Sequence, residues 1–292
     1  MTLAPGRAPS LLTTTVPAVL PRDWCVLRTP PAAGSWNMAC DLTLLELART
    51  QHTGFLRVYG WSEPTVSFGR NERTAGVYSA SALVASGLAV VRRPTGGRAL
   101  LHHREVTYSV AIPMHDDVRW QQAYRAINEI LLRALEGMGV PANIVETRTP
   151  SNAERQRSAA DASVTLESSA GEVCFSGMAS GELAVAGRKL VASSVWRERG
   201  AYLQHGSILI VDDQRLLMQA LGPNIDAPEP AAVLSEWMTT SVAETADLVE
   251  IALRKSISEC GNVRPWSIPA DIVPAIDATG GRLAQVNWLW RR

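Results

Sequence analysis

Strand-length apolar segments come in runs along this chain, and that order narrows the fold more than any other feature. Residues 24–27, 55–59, 65–68, 88–92 and 106–112 read as strands in the first half. Residues 172–175, 181–186, 190–196 and 202–210 follow in the second. Between and after them lie helical patterns. Residues 37–49 carry Met38, Leu42, Leu45 and Ala48 at helical spacing. Residues 78–86 end at Gly87, and a long helix capped by Asp116 or Asp117 runs to Met138, closed by Gly137 and Gly139. Residues 213–221 and 241–260 read as further helices, with a short tail helix at 280–290. Strands in runs with helices packed outside them predict an α+β fold with a mixed, mostly antiparallel sheet flanked by helices.

Composition removes several classes of function. The chain has 292 residues, 46% hydrophobic and 19% charged, enough to bury a core without a disulfide or metal staple. No apolar run approaches the roughly 20 residues a membrane helix needs. With 28 basic and 28 acidic residues, no general basic field points to nucleic acid. Residues 1–22 hold four prolines and no period, which reads as a flexible leader before one catalytic domain at 23–292. The apolar part of that leader is broken by Pro17 and a threonine run, unlike a secretion signal. Cys25, Cys40, Cys174 and Cys260 are scattered without metal-ligand spacing, so free thiols in a reducing cytoplasm and no metal are expected.

Two stretches stand out chemically. In RRPTGGRALLHHREVTYSV, residues 92–110, three arginines surround a Gly-Gly turn between two strands. Gly96 and Gly97 let backbone N–H groups approach a ligand, and Arg92, Arg93 and Arg98 are placed to hold a phosphate or phosphopantetheine group. A plain hairpin turn with solvated arginines fits the same spacing, and His102 and His103 fit packing or hydrogen bonding at a strand end better than metal ligation. The second stretch joins Cys174-Phe175, Gly187-Arg188-Lys189 and Gln204-His205-Gly206-Ser207. Lys189 and Lys255 are the only lysines, so each is a weak pointer to a need for an amine. An ammonium near the Cys174 thiol would raise its thiolate fraction, as a nucleophile requires; a buried cysteine and a surface lysine are the plain alternative.

Taken in order, NMACDLTLL at 37–45, LRVYGWSEPTVSFGR at 56–70, the RRPTGGRA block, GRKLVASS at 187–194 and LQHGSILI at 203–210 resemble the lipoate-protein ligase A and octanoyltransferase family. That family shares its catalytic fold with biotin-protein ligases, and the resemblance spans residues 24–260. It implies attachment of an eight-carbon acyl group to a lysine of a lipoyl domain. The turn with Thr95, Gly96 and Gly97 then resembles the lining of the family's acyl and nucleotide pocket, with Arg92, Arg93, Arg98, His102, His205 and Gly206 around it. Lys189 resembles the residue that contacts the acyl carbonyl. In one octanoyltransferase branch a Cys-Phe pair precedes the GRK motif and forms a thioester, the place Cys174-Phe175 holds here.

The reading that follows has Cys174 attack octanoyl-acyl-carrier protein and pass the acyl group to a lipoyl-domain lysine without a cofactor. The acceptors implied are the glycine-cleavage H protein and 2-oxoacid dehydrogenase E2. An ATP- and magnesium-dependent lipoate ligase, an octanoyltransferase drawing on the H protein, and a non-catalytic lipoyl-domain binder are the rivals. The chain departs from the family where His103 replaces Asp and Leu42 replaces Glu. Ala192, Ser194 and Val195 stand where Gly, Ala and Gln are usual; the extra hydroxyl of Ser194 calls for a partner.

Overall fold

In the computed structural model, residues 17, 19–146, 179–198, 200–220 and 230–290 are described. Cys174, the strand at 172–175 and the surface loop expected at 147–170 lie outside them.

An eight-stranded mixed sheet forms the frame. Its central strands are β1 (Asp23–Arg28), β2 (Gly54–Tyr59), β6 (Glu105–Pro113), β10 (Ala201–Leu209) and β9 (Arg188–Glu198), in that spatial order. The edges are β11 (Asn262–Pro265) beside β1, and β8 (Leu183–Val185) then β7 (Asn143–Ile144) beyond β9. β1 pairs parallel with β2 and β11; the other pairs are antiparallel. A second sheet of three strands sets β3 (Thr65–Phe68) between β4 (Ala89–Arg92) and β5 (Leu100–His102).

Period-two alternation gives each face of the large sheet its own core. Trp24, Val26, Leu56, Tyr108 and Val110 point to one face, covered by α3 (Trp120–Gly137) and α4 (Val242–Ser258). Cys25, Leu27, Phe55 and Leu203 point to the other, covered by α1 (Gly34–Gln51) and α5 (Val273–Leu283). The small sheet packs with α2 (Ala80–Ala85) and with Trp290, just after α6 (Val286–Leu289). Val19 and Leu20, inside the expected leader, pack against the first core.

Several expectations are corrected. α3 begins at Trp120 with Arg119 as its N-cap and no side-chain cap, because residues 115–118 form a separate turn. Ser241 does cap α4, through a reciprocal box with Glu244. Residues 214–220 are a 3₁₀ helix, tightened where Gln214 exchanges two hydrogen bonds with the Leu101 backbone. The tail is two helices; Gly280 and Gly281 lie inside α5, where Gly280 approaches the Ser35 backbone. β5, β7 and β11 are short edge or near-edge strands that no strand-length pattern announces.

Candidate active site

The RRPTGGR turn sits where the two sheets meet. Its anchor is a buried polar network rooted in α1. Asp41, on the buried side of that helix, is fully buried and accepts four hydrogen bonds. They come from Arg57 Nη1 at 2.8 Å, Ser109 Oγ at 2.8 Å, Tyr59 Oη at 3.0 Å and His205 Nδ1 at 2.9 Å. Burial pushes the Asp41 carboxyl up, but the His205 bond, the Arg57 charge and the Ser109 bond outweigh it and hold the group below its ordinary value. Burial lowers the pKa of His205 although Asp41 opposes the shift, so the imidazole is neutral at pH 7. With Nδ1–H donated to Asp41, Nε2 accepts from Thr95 Oγ1 at 2.7 Å. The threonine of the turn is thereby tied through His205 to α1.

The rest of the turn is held by Arg93 and Ser194. Arg93 donates to the carbonyls of Gly96 (3.0 Å), Ser67 (2.8 Å) and Arg98 (2.7 Å). Ser194 Oγ donates to the Gly96 carbonyl at 2.7 Å, so its extra hydroxyl has a partner and closes the turn onto β9. Gly97 has φ +93°, a conformation that side chains rarely adopt. Gly206 is required for a different reason: a Cβ there would lie 2.5 Å from the Ala192 carbonyl oxygen.

Arg92 differs from its expected role. It is fully buried and donates to the carbonyls of Gly69, Glu72, Trp288 and Leu289, locking the C-terminal helix to the turn rather than facing a ligand. Arg98 is partly exposed at the end of the turn. His102 stacks on Trp61 with ring centroids 4.0 Å apart. Its ring nitrogens meet Glu105 Oε1 and Ser67 Oγ, each at 2.7 Å. His103 is turned out to Asp213 at 3.1 Å, away from the site. Ala192 is buried in a small cluster with Leu100 and Leu209.

Gly96 and Gly97 border an open cavity of about 700 Å³, walled by Trp120 and Tyr124 of α3 and by Ser193, Ser194 and Val195 of β9. That volume lies in the range of small-molecule sites. Glu182 also lines this cavity, and behind it stands Lys189, only 5% exposed, with Nζ 3.0 Å and 2.9 Å from the two Glu182 oxygens. The Ala179 N–H donates to Glu182 Oε2 at 2.8 Å. Asn128 Nδ2 holds the adjoining Gly181 carbonyl at 2.6 Å, and Gln204 links Asn128 to Tyr108. A second cavity, between the sheets and lined by Trp61, His102, Ala192 and His205, is about 20 Å³ and shares Ser193 and Ser194 with the first.

The sequence reading missed Asp41, Arg57, Asn128 and Glu182. The signal for the first two is a charge within an otherwise apolar helix face or strand; the other two carry no local signal.

The fold is that of lipoate-protein ligases. The bipartite lipoate protein ligase from the lipoylation system of Thermoplasma acidophilum, described along with its E2 lipoyl domain, superposes with a TM-score of 0.69 at 17% identity, over 94% of this chain and 98% of that one. Residues 34–254 match the lipoyl protein ligase A/B catalytic domain, and the chain belongs to that family. Within it, the chain is 39% identical over 206 residues to octanoyltransferase LipM of Kyrpidia tusciae, covering 68% of this chain and 70% of that protein. It is 37% identical to octanoyltransferase LipM of an Exiguobacterium species, covering 92% and 98%. This chain is therefore an octanoyltransferase of protein lipoylation. Among the described residues, no helix is long and apolar enough to cross a membrane.

Proposed function

We propose that the enzyme takes its octanoyl group from octanoyl-acyl-carrier protein, holds it on Cys174, and delivers it to a lysine of a lipoyl domain in the cytoplasm. The observation that carries this reading is the buried Lys189–Glu182 pair at the wall of the open cavity that the Gly96–Gly97 turn also lines. The Cys174 thiolate attacks the donor thioester carbonyl; the carrier thiolate leaves and takes up a proton. The neutral amine of the acceptor lysine then attacks the new thioester, the bond to Cys174 breaks, and an amide forms with loss of the amine proton.

Lys189 Nζ orients the acyl carbonyl, and backbone N–H groups of the glycine turn receive the developing oxyanion. Glu182 balances the Lys189 charge, so Lys189 acts through direction more than through long-range field. The open cavity accommodates the acyl chain; the 20 Å³ cavity holds no more than a water molecule as it stands. The acceptors in this reading are lipoyl domains of the H-protein and E2 type, in keeping with the E2 lipoyl domain named with a structural neighbour; no cofactor is required, and Arg93, Thr95, His205 and Gly206 keep the turn in place.

The ATP-dependent ligase reading has one observation in its favour, the shared fold with lipoate ligases. Supplying lipoyl domain with octanoyl-acyl-carrier protein alone, or with octanoate, ATP and magnesium, separates the two. Product in the first mixture and none in the second supports transfer; the reverse overturns it.

A further inference from the structure

Arg92 and Arg93 are the arginines beside the glycine turn in sequence, yet both guanidinia are spent on backbone carbonyls inside the protein. Another arginine stands at the turn in space. Arg70 follows β3, and its N–H donates to the Thr95 carbonyl at 2.7 Å, so its backbone is joined to the turn. Its guanidinium lies 4.1 Å from the ring centroid of Trp196 and 6.0 Å from that of Trp288. All three side chains are half-buried.

Both indoles are fixed. Trp288 Nε1–H donates to the Arg92 carbonyl at 3.0 Å, while Arg92 Nε–H donates back to the Trp288 carbonyl at 2.9 Å. Trp196 Nε1–H donates to Glu198 at 3.3 Å, and Trp196 directly follows Ser194 and Val195, which line the open cavity. Among the described residues, no carboxylate pairs with Arg70. The buried Arg92 thus acts as a brace that brings the C-terminal helix, and Trp288 with it, against Arg70.

A guanidinium stacked on an indole has its face desolvated and its N–H edge held in one direction. Such an edge fits two oxygens of one anion, without the entropy cost of ordering a free arginine. We infer that Arg70, clamped by Trp196 and Trp288, receives the phosphate of the donor's phosphopantetheine arm, which is the only anionic group between the acyl thioester and the carrier protein. This inference rests on the carrier-protein donor of the preceding section.

The test compares octanoyl-pantetheine with octanoyl-pantetheine 4′-phosphate as donors, following acylation of the full-length enzyme by intact mass under single-turnover conditions. A charge-assisted, bidentate contact predicts that the wild type favours the phosphorylated donor by roughly tenfold or more in kcat/KM. R70Q brings that ratio near one, R70K leaves it intermediate, and W288L lowers it by loosening the clamp. Unfolding midpoints of the variants show whether each is folded. A folded R70Q that keeps the wild-type ratio overturns the inference. So does an R70Q that keeps the ratio but slows delivery to the lipoyl domain, which would assign Arg70 to a carboxylate of the acceptor. Absence of any acyl adduct on the wild type with either donor refutes the donor reading, and the Arg70 assignment with it.

Discussion

Asp41→Asn is the perturbation that most directly probes how α1 holds the glycine turn. Asparagine keeps the shape of the side chain and removes its charge, leaving the Arg57 guanidinium, itself fully buried, without a carboxylate. Breaking a buried pair on one side costs about 3–5 kcal/mol. At roughly 2.1 cal/mol/K per residue, a chain of this length loses about 5–8 °C of Tm for that energy. The pH dependence has a definite sign. The Asp41 carboxyl lies below 3.8 in the folded chain, so its contribution is full above that value and fades as pH falls through the folded-state pKa. The pKa of His205 is likewise depressed from 6.5, and its share is lost as pH drops below that point. Thermal unfolding followed by circular dichroism, across pH 7 to pH 3, reads both. A variant within 2 °C of wild type at pH 7, or a gap that widens in acid, would refute the network as the anchor of the turn.

Three other substitutions have stated outcomes. Lys189→Arg, although it keeps the charge, should lower transfer by roughly 100-fold or more, because the longer planar fork cannot occupy a buried site matched to one ammonium and the two Glu182 oxygens; near wild-type turnover of octanoylated lipoyl domain would count against it. Gly206→Ala should lower soluble yield or Tm, since its Cβ would meet the Ala192 carbonyl at 2.5 Å; an unchanged melt would mean that the strands part easily there. Ser241→Ala should destabilise the chain by about 0.5–2 kcal/mol through loss of the α4 cap, read by denaturant unfolding with transfer activity retained.

Much of the frame was readable from the residues because it depends on local periodicity. β3 matches its expected limits, and β2, β9 and β10 lie within a residue or two of theirs. The elements that escaped are those whose partners are remote. β11 ends in proline and exists because β1 offers it a parallel edge. The site shows the same division. The glycine turn and Lys189 are marked by residue type, whereas the partners that orient them come from elsewhere in the chain: Asp41 is 164 residues from His205. In the α1 pattern Leu42 takes a place on the apolar face, but Asp41 is the more buried, because a carboxylate with four donors is as well satisfied there as a hydrocarbon. Arg92 shows the opposite error, since charge in a sequence does not reveal which way a side chain points.

The central claim is a covalent octanoyl-enzyme on Cys174, and intact-mass spectrometry tests it directly. Mixed with octanoyl-acyl-carrier protein and no ATP, the enzyme should gain one octanoyl mass that hydroxylamine removes, as a thioester requires. Cys174→Ser should gain none and deliver no product, while Cys25→Ser, Cys40→Ser and Cys260→Ser, each at a buried free thiol, should still acylate. A Cys174→Ser protein that still octanoylates lipoyl domain at the wild-type rate would contradict the account.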